Sequence, residues 1–221
     1  MDVRRFLTGP LTAMREAARA ALLCDLPRLV EKEAWEEVDP HPFVAAFPPL
    51  TVRPGFRLAA FRRSLDDGLL AALPAAAVVA PPQECLVQGE LRIPGALADF
   101  MGAIVGDGTP WSFLVASVFA RTASEFGCAD GHRLDFAHHQ LIDAAPELSP
   151  SGVPWLRCAR WHEDFRPEVV VDRRVLVSFH GVTEAGLERL VRFTDLYRPD
   201  ALQAVQREAT TIALGANGWR V

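Results

Sequence analysis

Apolar residues recur at helical spacing along much of the chain. Over residues 10–23, for example, Leu11, Met14 and Ala18 fall on one face of a helix. Similar patterns, with residues typical of helix ends, predict helices over 28–37, 64–73, 96–105, 110–126, 134–145, 183–197 and 200–214. Alternating or β-branched apolar residues predict strands over 56–61, 85–93, 155–161, 168–171 and 175–179. Strands grouped late, without regular βαβ alternation, favour an α+β fold in which a mainly antiparallel sheet packs against several helices.

The segment over 110–126 is the predicted centre of this fold. Thr109 has a hydroxyl that suits a helix cap, and Pro110 suits the first helical position because it lacks an N–H. The ten residues that follow, from Trp111 to Ala120, carry no charge. A helix that is apolar on all sides is buried, and Gly127 suits its end. We therefore expect a buried central helix here.

The chain of 221 residues suits a single domain over 1–221. Half of its residues are hydrophobic and 23% are charged, which is typical of a globular protein. The helices within 10–37 could form an N-terminal pair beside the main body. Between them and the body, residues 39–54 contain five prolines among aromatic residues. A flexible linker would not carry Phe43 and Phe47, so we expect an ordered, extended segment laid across the core.

Charge and cysteine usage narrow the functional classes. The net charge is −5 and basic residues lie among acidic ones, whereas a nucleic-acid-binding surface needs a segregated basic face. The longest uncharged run, over 68–83, is too short and too proline-rich to span a membrane, and the first residues lack a signal-peptide pattern. Four widely spaced cysteines are typical of free thiols in a reducing compartment. We expect an acidic, soluble, cytoplasmic protein.

The densest set of metal-ligating residue types follows the central helix. It comprises Cys128, Asp130, His132, Asp135, His138, His139 and Asp143. On a helix over 134–145, Asp135, His139 and Asp143 share one side. One interpretation is a divalent transition-metal site with Cys128, His132, Asp135 and His139 as ligands. The other is the solvated face of an amphipathic helix, which we favour because no established spacing such as His-Glu-x-x-His occurs.

A second candidate site lies on a strand predicted later in the chain. Side chains alternate along a strand, so Trp155, Arg157 and Trp161 share one side, while Leu156 and Cys158 share the other. If Leu156 and Cys158 face the core, the row of two indoles and one guanidinium faces solvent or a partner. Tryptophan and arginine dominate protein hot spots and also stack on planar ligands. The alternative is that the indoles complete the core while Arg157 reaches outward along them.

Two further features carry less weight. If the three late strands form a meander, His162 and His180 end at one edge of the sheet, roughly 10 Å apart. Ser178 shares a strand face with His180, but no serine or cysteine there lies in a nucleophile elbow. The Gly-Asp-Gly turn over 106–108 precedes the central helix, a geometry able to hold an anion. It lacks the glycines and lysine of a phosphate loop, so we interpret it as a tight turn.

These patterns predict a cytoplasmic protein that binds a ligand or another protein through Trp155, Arg157 and Trp161. The expected partner is an unidentified protein or a small planar or anionic ligand, and a homo-oligomer is compatible with the sequence. We expect no cofactor. The alternative function is a metal-dependent hydrolase that uses the cluster from His132 to Asp143, and the question of enzymatic activity is open between these hypotheses. No motif in the sequence identifies a family.

Overall fold

Among the residues that the structure describes, more lie in strands than in helices. The computed structural model describes residues 1–23, 34–63, 68–84, 91–123, 136, 139–158, 164–183 and 188–215. Of these residues, 40% lie in strands and 22% in helices. The α-helices are α1 (Thr8–Leu23), α2 (His41–Ala45) and α3 (Pro110–Ala123), and Phe100–Ala103 form a 3₁₀ helix.

Half of the 14 strands in the described residues belong to one antiparallel sheet. The strands are β1 (Asp2–Arg5), β2 (Glu36–Val38), β3 (Leu50–Val52), β4 (Phe56–Arg62), β5 (Gly68–Pro74), β6 (Gln83–Glu84), β7 (Leu91–Arg92), β8 (Ile104–Gly106), β9 (His139–Ile142), β10 (Arg157–Cys158), β11 (Glu168–Val171), β12 (Val175–Thr183), β13 (Arg189–Tyr197) and β14 (Ala204–Leu214). The seven-stranded sheet has the order β1-β11-β12-β13-β14-β10. β9 pairs with the second half of β12, beyond the part that β11 covers. Smaller sheets are β2-β4-β5, β3-β8 and β6-β7.

Helix α3 packs on one face of the seven-stranded sheet. Eleven of its 14 residues are buried, and Val118 and Phe119 have no exposed surface. One core cluster joins α3 to α1, α2 and the strands β11, β12 and β13. The predicted buried central helix is confirmed over Pro110–Ala123, while 124–126 lie outside the described residues. Within the described ranges, no helix is long and apolar enough to cross a membrane.

The expected fold class, an α+β fold with a sheet packed against several helices, is wrong. The described residues form a mostly antiparallel β structure with three α-helices. The segments predicted as helices over 183–197 and 200–214 contain β13 and β14 instead. The described part of 64–73 belongs to β5, and the predicted helix over 96–105 gives way to the 3₁₀ helix and the start of β8.

The sequences of β13 and β14 do not show the residue pattern that is typical of a half-buried strand. In β13, Val191 and Phe193 face the core as alternate residues do, but charged Asp195 faces the core as well. Leu190 and Val191 are both buried although they are neighbours, because Leu190 packs in a small cluster with Phe165 whereas Val191 packs in the main core. The resulting spacing of apolar residues resembles that of a helix. In β14, residues 205–211 are exposed. Most of this strand therefore lacks the alternation of apolar and polar residues that would predict a strand.

The other strand and helix predictions differ in outcome. The helix over 10–23 and the strands over 56–61, 168–171 and 175–179 are confirmed as α1, β4, β11 and β12. The helix predicted over 28–37 is wrong at its end, because Glu36–Val38 pair with β4 as a strand. Its first part, over 28–33, lies outside the described residues.

Two further predictions are confirmed only in part. The predicted strand over 85–93 is partly described, and the segment over 39–54 is partly extended. Of the strand over 85–93, the described part contains the short strand Leu91–Arg92. The proline-rich segment over 39–54 is ordered across the core, as expected, because Phe43, Phe47 and Leu50 are buried. It is not wholly extended, since it forms α2 before it enters β3.

Candidate functional site

The first predicted site is the row of Trp155, Arg157 and Trp161. Trp155 packs against a small core cluster that contains Phe165, and its indole N–H donates to the carbonyl oxygen of Pro146 at 3.1 Å. Leu156 is 58% exposed, so the condition that Leu156 faces the core fails. Trp155 therefore agrees with the structural alternative.

The rest of that row stays a prediction. Of the strand predicted over 155–161, the described part forms only Arg157–Cys158, which pair with the end of β14. Trp161 and the side chain of Arg157 lie outside the described part of the structure.

The second predicted site is the His/Asp cluster, and its helix is wrong where it is described. Residues 139–142 form β9, which pairs with β12, so His139 does not lie on a helix face. The His139 side chain is buried, with Nε2 3.0 Å from Thr183 Oγ1. Its carbonyl oxygen accepts a hydrogen bond from Arg15 of α1 at 2.7 Å. These contacts join α1 to the sheet, and they contradict a solvated helix face at His139.

Asp143 has a structural contact of its own. Its carboxylate accepts hydrogen bonds from the backbone N–H of Thr8 at 2.9 Å and from the Thr8 hydroxyl at 3.0 Å. Thr8 begins α1, and a carboxylate is favourable at a helix start, where N–H groups lack partners inside the helix. Asp143 therefore caps a helix that lies 135 residues earlier in the chain.

The metal alternative is not decided by these two residues. Cys128, Asp130, His132, Asp135 and His138 lie outside the described residues. Within the described ranges, no group of three histidine, cysteine or carboxylate side chains is arranged to hold a metal ion. A metal site at the cluster, and with it the hydrolase, stays a prediction.

The meander that would bring His162 close to His180 does not form in the described strands. The strand that begins at Arg157 pairs with β14 and not with β11, so the three late strands do not form a meander. His162 lies outside the described residues. His180 is buried, its ring centre lies 4.4 Å from that of Phe165, and its Nδ1 lies 3.2 Å from the Phe165 carbonyl oxygen. These contacts are those of a core histidine.

A cavity of about 550 Å³ lies beside the amino-terminal end of α3. Its walls come from Arg53 after β3, from residues within 97–102, from β8 and the turn after it, from Ser112 and Phe113 of α3, and from the loop over 198–203. Cavities of roughly 300–1,000 Å³ with mixed apolar and polar walls are typical of small-molecule sites. The cavity therefore has the dimensions of a ligand site.

The β3–β8 pair and the 3₁₀ helix position two charged residues of the cavity. The N–H of Arg53 donates to the carbonyl oxygen of Ala103 at 2.8 Å and so continues the β3–β8 pairing. The Arg53 guanidinium lies 4.7 Å from the centre of the Phe56 ring, a cation–π distance. Asp99 caps the 3₁₀ helix, because its Oδ1 accepts from the Met101 N–H at 2.9 Å.

The turn before α3 forms part of the wall because it approaches the helix closely. A Cβ atom on Gly106 would lie 2.7 Å from Ser112 Oγ, so a larger residue requires displacement. Gly108 has a φ of 80°, which glycine adopts without strain. The Thr109 hydroxyl donates to Asp107 Oδ1 at 2.6 Å, and this hydrogen bond lowers the pKa of Asp107 below its usual value. The segment is thus a tight turn, and that turn also borders the cavity.

The loop from β13 to β14 supplies two more charged residues. The N–H of Ala201 donates to the carbonyl oxygen of Arg198 at 3.2 Å, which closes a turn. Leu202 is buried, and its Cδ1 would lie 3.1 Å from a Cβ on Gly106. Leu202 therefore anchors the loop against the turn before α3, while Arg198 and Asp200 remain exposed.

Four charged residues line the cavity without neutralising one another. They are Arg53, Asp99, Arg198 and Asp200. Among the described residues, none of these four side chains forms an ion pair. Apolar residues such as Leu97, Met101 and Phe113 provide the rest of the lining. The cavity can therefore offer both apolar contact and charged groups to a ligand.

The sequence patterns did not identify this cavity. Two signals pointed toward it, namely the Gly-Asp-Gly turn over 106–108 and the arginine at position 53. The Gly-Asp-Gly pattern predicts a tight turn only, and Asp200 begins the segment over 200–214 that is predicted as a helix. The cavity requires the loop between β13 and β14, and that loop was hidden because both strands were predicted as helices.

Comparisons with known proteins do not add a function. No protein-family description, no functionally characterised protein and no solved structure matches this chain. A functional conclusion therefore depends on the geometry of the site alone.

Proposed function

We propose that this protein binds a small-molecule ligand in the cavity at the amino-terminal end of α3. The observation that carries the proposal is a cavity of about 550 Å³ whose lining combines apolar residues with four charged ones. Exposed arginine and aspartate side chains near one another usually form weak pairs at a surface. Among the described residues, the four that line this cavity form no ion pair, so their charges are available to a ligand. The sequence patterns predict either a protein partner or a small ligand. We propose the small ligand, and we place it in this cavity and not at the row of Trp155, Arg157 and Trp161.

A fragment screen with a cavity-filling variant tests this function. We expect fragments detected by ligand-observed NMR to bind the wild-type protein. Replacing Ala98 by Trp should weaken the same fragments by about tenfold or more, because Ala98 lines the cavity and is exposed enough to carry an indole without disturbing the core.

Ala76→Trp is the matched control, because Ala76 is an exposed residue that does not line the cavity. It should leave fragment binding unchanged. Equal binding to the wild type and to Ala98→Trp would show that the fragments bind elsewhere. If no fragment binds the wild-type protein at all, the proposed function is wrong.

The sequence supports a proposal for the compartment and argues against one class of partner. We propose a cytoplasmic location, because four widely spaced cysteines are typical of a reducing compartment. We do not propose a nucleic-acid partner, because the net charge is −5 and basic residues lie among acidic ones.

A further inference from the structure

The charges around the cavity define a class of ligand. We propose, resting on the proposed function, that the ligand is dipolar. Arg53 and Arg198 bind its anionic group, Asp99 and Asp200 bind its cationic group, and an apolar middle part contacts Leu97 and Phe113. All six residues line the same cavity.

The arginine residues are suited to hold a carboxylate or a phosphate. A guanidinium presents several N–H donors in a planar fork, which matches both anions. The Phe56 ring lies 4.7 Å from the Arg53 guanidinium carbon, and this contact restricts the side chain before a ligand arrives. Arg198 comes from the loop that buried Leu202 anchors, so the two arginines belong to different parts of the fold.

The aspartate residues make a purely anionic ligand a poor match. Asp99 and Asp200 line the same cavity, and their charges would repel a second negative charge. One oxygen of Asp99 accepts the Met101 N–H, which leaves the other oxygen for a ligand ammonium group. A molecule that carries both charges gains from both pairs of residues, whereas a molecule with one charge meets one attractive and one repulsive pair.

A matched set of probes tests this inference by calorimetry. The dipolar probes are γ-aminobutyrate and phosphoethanolamine, and the singly functional probes are butyrate, inorganic phosphate and butylamine. We expect at least one dipolar probe to bind about tenfold more tightly than the probes that carry only one of its two groups. Comparison of the two dipolar probes distinguishes a carboxylate from a phosphate as the anionic group.

Two variants, each of which removes one charge, test which residue binds the anionic group of the ligand and which binds the cationic group. Arg198→Gln should abolish the advantage of the dipolar probe over butylamine, and Asp200→Asn should abolish its advantage over butyrate or phosphate. Both side chains are exposed, so neither change disturbs the core. Arg173→Gln, at an exposed residue outside the cavity, is the matched control and should change no affinity.

The possible failures are distinguishable. If fragments bind in a manner that Ala98→Trp blocks, but dipolar probes bind no better than their singly functional partners, the dipolar ligand is wrong and the proposed function stands. If dipolar probes bind but neither Arg198→Gln nor Asp200→Asn changes their affinity, the assignment of the charged residues is wrong. If neither fragments nor probes bind, both proposals fail.

Discussion

Asp195 shows how a single charged residue can lie inside this core. It has no exposed surface, and Arg121 of α3 approaches both of its carboxylate oxygens, with one N–O distance of 2.6 Å. The Arg121 guanidinium also lies 5.4 Å and 5.1 Å from the ring centres of Phe179 and Phe193. Arg121 therefore fixes α3 on the sheet through an ion pair and through aromatic contacts. A buried pair of this kind stabilises only while both partners are present.

Removing one partner of this pair should be costly. We expect Arg121→Met to lower the free energy of unfolding by about 3–5 kcal/mol, because among the described residues the buried carboxylate then keeps only the Tyr197 hydroxyl at 3.2 Å and Arg207 Nε at 3.9 Å. Urea denaturation followed by circular dichroism measures the change. The double variant Arg121→Met, Asp195→Leu should recover much of the loss, because it also removes the buried charge that has lost its closest partner.

An exposed ion pair provides the control for that prediction. Arg166 and Asp164 form a hydrogen-bonded pair at the surface, and the Arg166 side chain lowers the pKa of Asp164 to about 2. Arg166→Met should leave the free energy of unfolding nearly unchanged, because water screens exposed pairs. If Arg121→Met and Arg166→Met destabilise equally, burial does not govern the strength of these pairs.

At the scale of elements, α3 organises the core because aromatic residues from several segments meet on it. The ring of Phe119 lies 5.5 Å from Phe43, 5.1 Å from Phe47 and 5.9 Å from Phe100, measured between ring centres. These contacts join α3 to α2, to the residues after α2 and to the 3₁₀ helix beside the cavity. The position of the cavity wall therefore depends on the packing of α3.

Truncating Phe119 should test this central role. We expect Phe119→Ala to lower the free energy of unfolding by about 3–5 kcal/mol, through lost burial and the cavity left behind. Val118→Ala should cost less, because it removes fewer atoms. Val205→Ala is the control, since Val205 is 58% exposed on β14 and its loss should matter little. A change below about 1 kcal/mol for Phe119→Ala would show that α3 is peripheral.

At the scale of the whole molecule, the single tyrosine reports on the folded core. Tyr197 is fully buried on β13, and its hydroxyl lies 2.7 Å from Ser117 Oγ of α3 and 3.2 Å from Asp195 Oδ2. Burial raises the pKa of Tyr197 far above its usual value of about 10. The protonated phenol therefore makes its full contribution to the free energy of unfolding below about pH 10. This contribution decreases as the pH rises further.

This arrangement predicts a coupled alkaline transition. In the folded protein at about pH 11, Tyr197 should show no tyrosinate absorbance, although a free tyrosine would be ionised there. Tyrosinate should appear only together with the loss of the strand signal in circular dichroism. Tyr197→Phe should reduce the slope with which stability falls between about pH 10 and 11. Tyrosinate formation near the usual pKa, in protein that remains folded, would contradict the buried position.

The sequence alone predicted those helices and strands whose residue pattern lies within their own segment. The uncharged run from Trp111 to Ala120 predicted the buried helix, because no solvated face could exist there. The strands β4, β11 and β12 were predicted from their own alternating or β-branched residues. The same local information indicated a globular chain and a tight turn at 106–108.

Tertiary structure alone decided β13, β14 and the cavity. Asp195 faces the core because Arg121 of a distant helix pairs with it, and the isolated pattern cannot show such a partner. β14 is a strand because β13 supplies its hydrogen-bond partners over nearly its whole length, although its own residues are largely exposed. The cavity arises where Arg53, Asp99 and the loop over 198–203 meet, far apart in the chain. Strand pairing and convergent walls are long-range contacts, so only the folded chain brings them together.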